Sequence, residues 1–149
     1  MKTSDGAFQS RHTECMRIRV WVDGWQMQCC GEPFQVGDTV EWTLRSCDRG
    51  KYPVDVLGPD VAESVTHAEE HHGGLPEDAP VTTGTVTGIH AVHSRYAPRS
   101  DESPRVLHPV PGSGQLTWVS SADGWEHVEG ELQFVGYLVD LDVHGDKQS

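Results

Sequence analysis

The segment Glu131 to Val143, Glu-Leu-Gln-Phe-Val-Gly-Tyr-Leu-Val-Asp-Leu-Asp-Val, is the strongest constraint on what this chain can become. β-branched and aromatic residues dominate it, and both of its alternating faces are apolar, so a central strand is predicted rather than a sheet edge along its whole length. Four more strands are predicted around it. Met16 to Asp23 places Ile18, Val20 and Val22 on one face and Arg17, Arg19 and Trp21 on the other. Val40, Trp42 and Leu44 alternate after a Gly37-Asp38 turn. Thr82 to Tyr96 is β-prone, with Gly88 placed to form a bulge that switches the apolar face. Leu116 to Val119 is short.

One segment changes period. Asp60 can cap a helix that Glu63 supports three residues later; Val61, Val65 and Ala68 form its apolar stripe and Gly73-Gly74 ends it. One helix is therefore predicted near residues 60–72. Five strands and one helix predict a mainly β (α+β) domain: a small antiparallel barrel or bent sheet, SH3-like or OB-like. The length of 149 residues suits one domain. It is placed at 16–144, with residues 1–15 read as a disordered extension or a start called too early, and 145–149 as a polar tail. The tripeptide Asp-Gly-Trp recurs at 23–25 and 123–125, which is too little to mark a duplication.

Charge narrows the partners. With 23 acidic against 11 basic residues the formal net charge is −12, which repels phosphate backbones, and no basic cluster overrides it; no nucleic acid is expected. No stretch approaches the ~20 apolar residues of a membrane span and no secretory apolar run opens the chain, so no membrane and a cytoplasmic location are expected. Four cysteines fall short of a disulfide scaffold, and reduced thiols are expected. A homo-oligomer is compatible with the sequence.

Chemistry-bearing residues gather in two places. His67-Ala68-Glu69-Glu70-His71-His72 closes the predicted helix, where His67 and His71, four apart, would share one side. Cys29-Cys30 lies in a connection. Imidazole and thiolate are zinc ligands, so His67, His71 and one of Cys29 and Cys30, completed by His72, Glu70 or water, would form a structural or regulatory zinc site if the segments converge. The competing reading makes the cysteines small buried hydrophobes and the histidines decoration of a helix C-terminus. His67-x-x-Glu70-His71 also matches the H-x-x-E-H pattern of inverzincin peptidases, with Glu70 as the base that activates water. Such enzymes need a further acidic ligand on another helix, and this chain has one helix to offer. Of the five tryptophans, Trp42 and Trp118 are assigned to the core, and Trp21 and Trp25 are candidates for a partner-binding aromatic patch. The leading expectation is a binding or accessory module rather than an enzyme.

The run Trp25 to Phe34, with His67 to Gly73 and Gly84-Thr85-Val86-Thr87, resembles an uncharacterised family of small proteins from high-GC Gram-positive bacteria, a domain of unknown function, over about Met16 to His144. The resemblance implies a bacterial cytoplasmic origin and no activity, cofactor or site. The absence of asparagine, and eight arginines against three lysines, point the same way.

Overall fold

The computed structural model describes residues 16–29, 31–46, 54–70, 80–98, 103, 105–126, 130 and 132–144. The extension and tail expected at 1–15 and 145–149 lie outside the described residues. The elements are β1 (Met16–Asp23), α1 (Gly24–Cys29), β2 (Phe34–Gln35), β3 (Thr39–Ser46), a 3-10 turn (Val54–Leu57), α2 (Pro59–Ser64), β4 (His67–Glu69), β5 (Val81–Ser94), β6 (Tyr96–Pro98), β7 (Leu107–Pro109), β8 (Gln115–Val119), β9 (Ser121–Ala122) and β10 (Gln133–Val143). Five strands close a barrel in the order β10-β1-β4-β3-β5, because β5 also pairs with β10. Only the β1–β4 pair among these is parallel. The mainly β barrel is the fold class the alternation called for.

β10 holds the central position its two apolar faces demand, hydrogen-bonded to β1 on one edge and β5 on the other. Tyr137, Val139 and Leu141 fill the barrel, while Val135 and Leu138 face outward under a second layer. The register with β5 slips twice. Val135 is the extra residue opposite the His93–Val92 step, and Thr87 is the extra residue opposite the Asp140–Leu141 step. The Thr87 bulge lies beside Gly88 and inverts the parity of β5, so Val86 points inward before it and Ile89 and Ala91 after it.

The second layer is the 3-10 turn with α2. Val54, Val56, Leu57, Ala62 and Val65 pack on Trp21, Ala68, Val92 and Leu138 outside the barrel wall. Farther along the same outward face of β1, Arg17 and Arg19 pair instead with Asp142 and Asp140 of β10, at 2.9 and 2.8 Å. One face of a single strand thus passes from surface ion pairs to buried indole.

The helix is shorter than its periodicity predicts. It starts with Pro59 after Gly58, which has a φ of 82°, and ends at Ser64; Val65 is already extended. Residues 67–69 form a strand between β1 and β3. Thr66 explains the switch: its N–H donates to the Arg19 carbonyl at 2.9 Å, while its hydroxyl donates to that carbonyl and accepts from the Arg19 N–H. These bonds and the adjoining ladders satisfy more backbone than one further helical turn would, and the β-branched Val65-Thr66 pair favours extension.

Candidate functional site

One end of the barrel holds a cavity of about 650 Å³, lined by Val22, Met27, Phe34, Trp42 and Glu69 among others. The connection from β1 through α1 to β2 builds its mouth. Gly24 lets α1 turn across the end of β10, where a Cβ would lie 2.8 Å from the Val135 carbonyl and from the Phe134 ring. The turn brings Met27 down into the barrel core. The chain then returns through Pro33 to Phe34, whose ring meets Trp42 edge-on, with centroids 5.1 Å apart, and Tyr137 at 6.2 Å.

Tyr137 backs Phe34 from within the barrel core. Its buried ring lies 5.0 Å from Phe134, and its hydroxyl donates to Glu126 Oε2 at 2.7 Å and accepts from the Gly124 N–H at 2.9 Å. Burial and the hydrogen bond to Glu126 push the phenol well above its ordinary range, so it stays a donor. Gln28 of α1 donates to the Gly124 carbonyl at 2.8 Å. The two Asp-Gly-Trp tripeptides are thereby brought together through α1, a contact that their sequence spacing did not announce.

β4 carries the carboxylate that enters the cavity. Glu69 pairs with Leu44 of β3 and stands one position beyond the Trp21–Ala68 pair with β1, so it shares the inward face with Val22 and Leu44. It is 4% exposed. Glu70 falls on the opposite face. Its carboxylate is 3.4 Å from Arg45 Nε, and its N–H donates to the Thr43 carbonyl.

The outward face holds a second buried acid. Asp23 accepts the Trp21 indole N–H at 3.0 Å. Burial pushes its carboxyl above the ordinary range, against the opposing pull of that bond, the Arg45 charge and the Trp25 indole. The half-buried Tyr96 is raised by burial and by the nearby Asp23 charge.

These positions correct several expectations. His67 lies on a strand, not on the helix predicted for it, and His71 lies outside the described residues. His67 and Glu70, three apart, consequently point to opposite sides of the wall, and Glu70 is engaged with Arg45. Among the described residues no group of three or more His, Cys, Asp or Glu side chains is placed to hold a metal. Cys30, His71, His72 and the Cys29 side chain lie outside the described residues. Trp21 is 1% exposed and belongs to the second-layer core, not to a partner patch. Trp25 is at the surface as expected, whereas Trp118, assigned to the core, is 59% exposed. Sequence reasoning missed Glu69, Asp23 and Tyr137. The signal for Glu69 was available only by reading its segment with a period of two.

The model of a family described as a family of unknown function (DUF6578) matches residues 16–143, which span the whole barrel. No curated protein and no solved structure matches significantly.

Proposed function

The chain belongs to DUF6578, a family of unknown function, and we propose that it is a binding module that receives a small ligand in the mouth of its barrel. The cavity carries this reading. Its volume of about 650 Å³ lies in the ~300 to 1,000 Å³ range of small-molecule sites, and its wall combines aromatic and aliphatic side chains with threonines and four acids, of which Glu69 is buried. Small barrels commonly fill their interiors with side chains; here the core occupies the rest of the barrel and leaves this end open. Binding is favoured over catalysis because the described side chains of the wall offer carboxylates and threonine hydroxyls but no histidine, cysteine or lysine to act as a paired nucleophile or base.

The test is entry of a neutral solvatochromic dye. Nile red should bind the full chain with blue-shifted emission, and Val40→Phe, which adds a ring to the cavity wall, should displace it. Failure of the dye and of a neutral fragment set to bind, or binding unaffected by Val40→Phe, would refute the reading.

A further inference from the structure

Resting on the cavity reading, we infer that the ligand is an organic cation: an ammonium head met by Glu69 and an apolar or aromatic body laid against Trp42 and Phe34. Three observations converge on this class. Glu69 is 4% exposed and faces inward from β4 beside Val22, so its charge lies within the space a ligand would occupy rather than at its rim. The acids Glu32, Asp38 and Glu41 also line the cavity, and among its described lining residues none is basic. Trp42 meets the edge of Phe34 at an interplanar angle of 76°, which holds two aromatic surfaces at different orientations on one wall.

Each observation acts on a cation in a distinct way. A carboxylate has two oxygens and about four lone-pair sites, so a partner within the protein leaves Glu69 capacity for a ligand N–H. Removal from water strengthens a charge-assisted hydrogen bond and makes an anionic head at the same point strongly unfavourable. Aromatic faces attract ammonium groups through their quadrupole as well as covering apolar carbon. Asp38 is the exception among the acids, since its Oδ2 accepts the Gln35 N–H at 3.0 Å and so fixes the turn into β3. The rim acids and the chain's net charge of −12 draw cations toward the mouth.

The experiment compares three probes of matched shape by calorimetric titration: 2-phenylethylamine, 2-phenylethanol and 3-phenylpropanoate. The amine should bind best, the alcohol roughly tenfold or more weakly, and the carboxylate not at all. Glu69→Gln should remove most of the amine's advantage over the alcohol while both still bind, the remainder being the pull of the rim acids. Equal or stronger binding of the alcohol or carboxylate to the parent chain, or an amine preference undiminished in Glu69→Gln, overturns the inference. If none of the three binds but Nile red enters, the cavity reading stands and the cation inference falls; if the dye is excluded as well, both fall. Should Glu69→Gln not fold, the ¹³C shift of the Glu69 carboxyl during amine titration of the parent chain decides. A shift that saturates with binding supports the inference, and binding without one overturns it.

Discussion

Glu69 and Glu70 are neighbours in the chain, yet the barrel wall puts them in two regions with different physics. Outside the wall, Glu70 meets Arg45, and the buried Asp23 nearby accepts an indole proton from Trp21 beneath the layer of Val54, Val56, Leu57 and Val65. Inside, Glu69 stands in a cavity bordered by Trp42 and Phe34. The outer region is packed: Trp21, 1% exposed, lies within the second-layer core. The inner region places similar residue types around open space. Burial of polar groups is therefore a poor marker of function in this fold, and the volume left beside them is the better one.

The contrast makes its largest prediction for the two tryptophans. Trp21→Ala should cost about 3–5 kcal/mol of stability, because a fully buried indole is lost and the Asp23 carboxyl loses a hydrogen-bond donor. Trp42→Ala should cost clearly less, since Trp42 is only partly buried and already borders a cavity, but should weaken Nile red binding. Urea unfolding of both variants, with dye titration, measures the difference. Equal losses of stability would erase the distinction between the regions.

The next effect is smaller and falls on the turn that Tyr137 holds behind α1. Tyr137→Phe keeps the ring against Phe34 and Phe134 but removes the hydroxyl that joins Gly124 to Glu126. A loss of about 1–2 kcal/mol is expected, with faster hydrogen exchange at the Gly124 amide, which is buried with that hydroxyl as its acceptor. Unchanged exchange at Gly124 would show that this turn is held by other contacts, such as the Gln28 bond to the Gly124 carbonyl.

The sequence made the barrel legible where period and packing agree. β10 was readable as central because both of its faces are apolar, and the parity switch in β5 was readable from Gly88, beside which the extra residue Thr87 falls. The stretch from Val65 to Glu69 was not readable. Its apolar residues fit a helical stripe, and only the ladders to Val20 and Trp21 of β1 and to Leu44–Ser46 of β3, distant in sequence, decide that it is a strand. The inward position of Glu69 depends on that decision, so it was hidden with it. Tryptophan burial failed for a related reason. Alternation places Trp21 on the face of Arg17 and Arg19, but nothing local reveals that residues 54–65 cover one half of that face, or that Trp118 on β8 stays exposed. The helical spacing behind the proposed zinc site went with the same helix, which ends at Ser64, while Cys30, His71 and His72 lie outside the described residues.

The smallest predicted effects concern pH, where the two sides of the wall have opposite signs. Asp23 is held above its ordinary value of 3.8, so between that value and the raised one the folded chain binds more protons than the unfolded chain; its contribution to stability falls as pH rises through this window and stays unfavourable above it. Asp23→Asn, which keeps an oxygen for the Trp21 indole, should therefore raise the melting temperature at neutral pH and lose that advantage below the window. His67 is held below 6.5 by partial burial, so its contribution is present above that pH and is lost as pH falls through the lowered value. His67→Gln should remove a shallow loss of stability on mild acidification, and the change should be less than that from Asp23→Asn because the imidazole is only partly buried. Melting curves of the parent and both variants from pH 7.5 down to 3 separate the two slopes. If Asp23→Asn lowers the neutral melting temperature, the indole and Arg45 outweigh burial at the outer acid, and desolvation no longer describes the outer region.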